Sequence, residues 1–311
     1  MDYPKFFDPI YSFNLFGLKK EFNILCSLYD KKKLPNILML TGHNGCGKST
    51  LVNHFLYYLF DKNNYDTKNL ILLETSNLHK QYRNEIFQNI IRVKGSDYKS
   101  VKVDEIRNLK TKIQQSSILD KDRFIIFDDI ELFNANSLNA LLRIIEEPNK
   151  KNYFILINNK KKPLIKTIKS RSIEFKIILK EKDRIETINN LIKFHNVQQF
   201  LDPKLSKLSP GNYLKFNYIF KEYDLLIDDN FLDNLTLLLN LYKKNKDILF
   251  IDMIFYLADF YFKNLSDREI ISKQKLYESK NFVQENLNKY LTFNLSQSSL
   301  INAINDKLNY G

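Results

Sequence analysis

The sequence predicts an α/β domain built on a parallel sheet, followed by a region that is helical throughout. Three observations carry this reading. Short apolar runs at NILML (36–40), ILLE (71–74), RFIIFDD (123–129) and YFILINN (153–159) have the length and the β-branched, aromatic content of buried strands. Helix-like segments, LVNHFLYYLF (51–60) and SLNALLRIIEEP (137–148), lie between them, the second stopped near Pro148. Strands alternating with helices imply a parallel sheet with crossover connections. After about residue 178 the strand signals fade, and FLDNLTLLLNLY (231–242) and ILFIDMIFYLADFYF (248–262) read as helices. Ser209-Pro210-Gly211 marks a break within the first helical stretch.

The first strand runs directly into TGHNGCGKST (41–50), and a helix follows it. That strand–loop–helix context is what a phosphate-binding loop requires. Glycines at 42, 45 and 47 let successive backbone N–H groups turn inward around phosphate oxygens. Lys48 then reaches the terminal phosphates, the Ser49 hydroxyl is placed to ligate Mg²⁺, and the start of the helix adds a field that favours anions. The candidate nucleotide-binding residues are Gly42, Asn44, Gly45, Gly47, Lys48, Ser49 and Thr50, while His43 and Cys46 fill variable positions. Such a loop needs a partner acid. The strand FIIFDD ends in Asp128 and Asp129, where one carboxylate at the carboxyl edge of the sheet orients Mg²⁺ and its neighbour positions an attacking water. The plainer alternative is a pair of acids in a strand-end turn.

Composition bounds the remaining choices. With 311 residues, 44% of them hydrophobic, the chain has room for two or three packed domains and is neither fibrous nor disordered. The longest apolar runs are interrupted by Asp and fall short of the roughly 20 residues that span a bilayer, so no membrane crossing is expected. The opening MDYPKFFDPI lacks a signal pattern, which leads to the expectation of a cytoplasmic protein. Cys26 and Cys46 are too few for a disulfide framework or a four-thiolate zinc site. The formal charge of +12 suits a phosphate backbone, but the same Lys- and Asn-rich bias also arises from an AT-rich genome.

The segment FIIFDDIELFNANSLNALLRIIEEPNKKNYFILINNKKKPLIKTIKSRS resembles the core of bacterial DNA polymerase III clamp-loader subunits, members of the AAA+ class. Three features carry the resemblance: the NALLRIIEEP helix (139–148), the strand after it ending in Asn, and Ser170-Arg171-Ser172 in place of the family's Ser-Arg-Cys. Upstream, residues 15–42 and VKVDEIRNLK (101–110) look like the family's approaches to the phosphate loop and to the second acid. Within the family the delta-prime branch is the best match. Its gamma and tau relatives usually carry four cysteines between the loop and the second acid, and this sequence has none there. The end at residue 311 leads to the expectation of no tau-like extension.

The resemblance implies an AAA+ P-loop domain over 1–178, a small helical lid over 179–225 and an all-α collar that joins neighbouring subunits over 226–311. It implies ATP and Mg²⁺ as cofactors, with Asp128 beside Ser49 orienting the metal. Asp129 stands where active motors have Glu. One methylene shorter, its carboxylate sits about 1.5 Å back from the water, and a misplacement of about 1 Å costs on the order of 100-fold in rate. Asn159 aligns with the residue that reads the γ-phosphate. In SPGNYLKF, Asn212 stands where the lid arginine would be, with Lys215 nearby. Arg171 is implied to act in trans, as an arginine finger toward the next subunit. The implied partners are other clamp-loader subunits of the gamma, tau and delta types, the sliding clamp and the backbone of primed DNA, with Lys160-Lys161-Lys162 either near that DNA or a solvated loop. The expected function is a delta-prime subunit that binds ATP, hydrolyses it poorly and helps load the clamp. A gamma-like ATPase motor of the same complex and a stand-alone P-loop kinase are the alternatives.

Overall fold

The computed structural model describes residues 3–95, 106, 109, 113, 122–146, 151–225, 227, 230–267, 272–293 and 295–309. Pro148 and, apart from Ile106 and Leu109, the VKVDEIRNLK segment lie outside them.

The chain divides into two compact units, one of Tyr3–Asn196 with Leu208–Leu214, the other of Val197–Lys207 with Lys215–Gly311. The first holds, in chain order, α1 (Lys19–Asp30), β1 (Ile37–Thr41), α2 (Lys48–Phe60), β2 (Tyr65–Asp66), β3 (Ile71–Leu72), α3 (Asn77–Arg83), β4 (Ile90–Lys94), β5 (Arg123–Asp128), α4 (Ala135–Ile145), β6 (Asn152–Asn158), α5 (Lys166–Arg171), β7 (Ile173–Lys176) and α6 (Glu181–His195). Among the described residues, five strands form a parallel sheet in the order β4-β5-β6-β1-β7. The strands alternate strictly between its two faces. Leu38 and Leu40, Phe124 and Ile126, and Ile155 and Ile157 enter one core with α1 and α2. Met39, Ile125 and Phe127, and Phe154 and Leu156 enter the other with α4 and α5. A sheet buried on both faces has to read as continuous apolar runs, which is why three of its strands are legible in the sequence.

The remaining strands depart from the expectation. ILLE is not a strand of this sheet: only Ile71–Leu72 is extended, and it pairs antiparallel with Tyr65–Asp66. The strand beside β5 is instead β4, IIRVK, whose arginine interrupts the apolar run. The edge strand β7 is mostly exposed and carries a Glu–Phe–Lys sequence that no burial pattern reveals.

The second unit is helical: α7 (Pro203–Ser206), α8 (Pro210–Glu222, which begins in the first unit), α9 (Phe231–Asn245), α10 (Ile248–Asp267), α11 (Lys273–Phe293) and α12 (Gln297–Asn309). Pro210 opens α8, where a missing N–H costs nothing. Phe216 on α8 meets Tyr256 on α10, with ring centroids 5.3 Å apart, and Tyr223 meets Phe250 at 6.1 Å. Residues on either side of the expected boundary at 225 therefore share one core. The expected lid is likewise divided between the units, since α6 and residues 208–214 group with the sheet. No described helix is long and apolar enough to cross a membrane.

Candidate functional site

The site lies at the carboxyl edge of the sheet, where β1, β5 and β6 end side by side. Beyond Thr41 the loop turns through Gly45 at φ +76° and Gly47 at φ +89°, a region that L side chains enter only with strain. Gly47 is the N-cap of α2, so no side chain caps that helix, and its first turn contains no acid. The orphan N–H groups and the positive end of the helix dipole are left for an anion. Asn44 lies in the turn, and Thr50 in the first turn of α2. Lys48 is buried, and its Nζ donates to the carbonyls of Gly42 at 2.9 Å and His43 at 2.7 Å, with Cys46 Sγ at 3.6 Å. Burial pulls the ammonium below its ordinary pKa, opposed by Cys46 and by the carboxylates Glu131 and Asp129. Burial also pushes the Cys46 thiol up, away from thiolate chemistry.

Segment 209–212 closes on the loop. The Gly211 N–H donates to the Gly45 carbonyl at 2.8 Å. A Cβ on Gly45 would collide with Ser209 Oγ and come within 2.8 Å of Asn212 Oδ1. Asn212, where the resemblance expects the lid arginine, thus meets the phosphate loop with an uncharged amide.

Asp128, the last residue of β5, is 6% exposed. Its Oδ1 accepts from Ser49 Oγ at 2.9 Å, so the two expected metal-facing residues do meet. Its Oδ2 is taken by Arg92 of β4, at 3.2 Å. Arg92 also donates to Asn53 Oδ1 at 2.7 Å and lies over the Tyr82 ring, 5.7 Å from its centroid. Burial works against the guanidinium charge, but Tyr82, Asp128, Tyr57 and Asp8 together outweigh it and hold the pKa above its ordinary value.

Asp129 follows at φ +50°. Its Oδ1 accepts from Asn159 Nδ2 at 2.6 Å and lies 3.7 Å from Lys161 Nζ. The acid expected to position water and the amide expected to read the γ-phosphate therefore hold each other. One lysine of the 160–162 run reaches into the same cluster. Glu131, 5% exposed, accepts from the backbone N–H groups of Asn159 at 3.0 Å and Lys161 at 3.3 Å, fixing the turn after β6. Burial raises its carboxyl pKa.

These groups fit the phosphates of ATP. They do not fit the expected Mg²⁺: one oxygen of Asp128 already carries a fixed cation, and a divalent ion there would sit beside a guanidinium.

Arg171 ends α5, 40% exposed, away from these contacts. It pairs within its own chain, with Glu146 Oε1 at 2.8 Å and the Thr167 carbonyl at 3.2 Å. Arg92 and Glu131 have no place in the motif-level reading. The one sequence signal for either is a charged residue inside an otherwise apolar run: IIRVK for Arg92, and DDIELF for Glu131.

Residues 17–181 match the family model described as "DNA polymerase III, delta subunit". A DNA polymerase III subunit delta' from Buchnera aphidicola of Schizaphis graminum is 27% identical over 199 residues, covering 62% of this chain and 58% of that relative. The chain thus spans less than two thirds of that relative's length. A second delta' subunit, from Buchnera aphidicola of Baizongia pistaciae, is 27% identical over 232 residues, 69% of this chain and 68% of the relative. A gamma subunit from the first of these organisms is 32% identical over 93 residues, 30% of this chain and 26% of its own. Among solved structures, a gamma-subunit-related protein of Thermotoga maritima covers 92% of this chain and 98% of its own at a TM-score of 0.50 and 15% identity, which supports the AAA+ fold. With more than half of its length matched by that model and delta' subunits among its relatives, the chain belongs to the DNA polymerase III delta-subunit family, in its delta-prime branch.

Proposed function

We propose that this chain is a delta-prime-type subunit of a cytoplasmic DNA polymerase III clamp loader that holds ATP in the 42–50 loop, turns it over slowly and presents Arg171 to a neighbouring subunit. Family membership supports the assembly role. The observation that carries the nucleotide reading is the uncapped start of α2 beside the buried Lys48, a cationic cradle with no side chain of its own to fill it. Slow turnover is supported by the Asp129–Asn159 bond, which engages both residues a hydrolytic site would need free. In the loader, the proposed partners are the gamma, tau and delta types of subunit, the sliding clamp and primed DNA. The three-part division at 178 and 225 stays a proposal about how these contacts are shared.

The complete phosphate loop favours a second reading, a gamma-like motor. Calorimetry with ATP and steady-state phosphate release on the isolated chain separate the two. Tight binding with turnover far below that of the reconstituted loader supports the delta-prime reading, and turnover equal to the loader's supports the motor. Lys48→Ala is expected to abolish or severely weaken binding, because it removes the charge facing the β and γ phosphates. Unchanged affinity in that variant would remove the nucleotide reading.

A further inference from the structure

We propose that Arg92 takes the place of the divalent cation in this site, so that the chain binds ATP as the metal-free nucleotide. The inference rests on the nucleotide reading above and adds the form in which the nucleotide is taken.

Asp128 is a buried carboxylate, and a buried charge has to be paired and hydrogen-bonded. In a metal-dependent phosphate loop that charge is left for Mg²⁺ and its waters. Here both of its oxygens have partners: the Ser49 hydroxyl on Oδ1 and the Arg92 guanidinium on Oδ2. Arg92 is not a loosely placed surface side chain. It comes from the middle of β4, is bonded by Asn53 of α2 and is stacked over Tyr82 of α3, so three elements hold it against β5. A planar guanidinium held in this way keeps its charge at any working pH and presents donors to phosphate oxygens as well as to carboxylate.

The charges around the loop point the same way. Asp128 is paired with Arg92 and Asp129 lies 3.7 Å from Lys161, so two of the three acids have a cation beside them before any ligand arrives, while Glu131 accepts from backbone N–H groups. A divalent cation entering beside Asp128 meets repulsion from the guanidinium that already pairs with that carboxylate. A triphosphate without metal meets Lys48 and the start of α2, with the guanidinium one carboxylate away, on the far oxygen of Asp128.

The test is calorimetric titration of the full-length chain with ATP, in Mg²⁺ and in EDTA. Wild-type affinity in EDTA is expected within about threefold of that in Mg²⁺. Arg92→Gln keeps an amide for Asn53 and removes the charge. It is expected to lose about tenfold or more in EDTA and to recover with Mg²⁺. Asn53→Ala, which frees the guanidinium without deleting it, is expected to fall between the two, and it carries the comparison if Arg92→Gln does not fold. A wild-type requirement for Mg²⁺ of about tenfold or more overturns the proposal. So does metal-independent binding that persists unchanged in both variants. If wild type shows no binding in either buffer, or binds no better than Lys48→Ala, the nucleotide reading falls and this proposal with it; a metal requirement in a chain whose binding depends on Lys48 removes this proposal alone.

Discussion

Asp129 is restrained in two ways. By the proposed reading it stands where active motors carry a glutamate one methylene longer, and its carboxylate accepts from Asn159. Restoring the length is expected to help: Asp129→Glu should raise turnover by the isolated chain by about tenfold or more, since about 1 Å of misplacement is worth on the order of 100-fold. Steady-state phosphate release measures this, and unchanged turnover would place the restraint in the Asn159 contact alone. Arg171 poses a similar question at a surface position. Its pairing with Glu146 is half-exposed, and such pairs contribute about 1 kcal/mol or less. Glu146→Gln should therefore shift the urea midpoint only slightly and leave ATPase of the reconstituted loader at or above the wild-type level. Arg171→Ala should depress it by orders of magnitude if the guanidinium serves a neighbour's phosphate, a contribution of about 10³ to 10⁵ in known cases. Equal, small effects of both variants would make Arg171 a surface ion pair and nothing more.

At the scale of elements, the close approach of the phosphate loop and the start of α8 depends on Gly45. Its φ of +76° and the proximity of Ser209 and Asn212 leave no room for a methyl group. Gly45→Ala is expected to cost at least the roughly 1–2 kcal/mol of a left-handed L residue, plus the collision with Ser209. Chemical denaturation reads the loss. If Gly45→Ala is as stable as wild type, segment 209–212 does not depend on this contact. Glu131 acts just as locally. By accepting from the Asn159 and Lys161 N–H groups, it shapes the turn that brings Asn159 to Asp129.

For the whole molecule, buried histidines set a dependence on pH. His54 is fully buried between Tyr65 Oη and the Ser12 carbonyl, and burial, against the help of that carbonyl, lowers its pKa from 6.5 to about 4. Below about pH 6.5 the unfolded chain takes up a proton that the folded chain refuses, so stability falls as pH drops from there toward about 4. The full effect is on the order of 3 kcal/mol. Burial moves His79 and His195 in the same direction, while the raised carboxyl of Glu131 works in the opposite one at the acid end. Urea unfolding at pH 7 and pH 5 should show the decline, and His54→Gln should flatten it. A stability that holds constant over that range would show that His54 titrates normally.

The sequence by itself determined the α/β class, the strand–glycine loop–helix at 37–60, the strand that ends at Asp128, and the helical second half. Each is written in contiguous residues: a sheet buried on both faces forces unbroken apolar runs, and a loop that wraps phosphate forces glycines at fixed spacing. Tertiary structure decided what those residues are bonded to. Arg92 reaches Asp128 only because β4 lies beside β5, and Asn159 reaches Asp129 only because β6 lies on the other side. Strand order is a long-range property, so a charged residue inside a short run such as IIRVK gives no sign of the carboxylate it will neutralise. The edge strand β7 and the antiparallel placement of Ile71–Leu72 escaped for the same reason: a short or exposed strand takes its identity from its neighbour, and the neighbour is chosen by the fold.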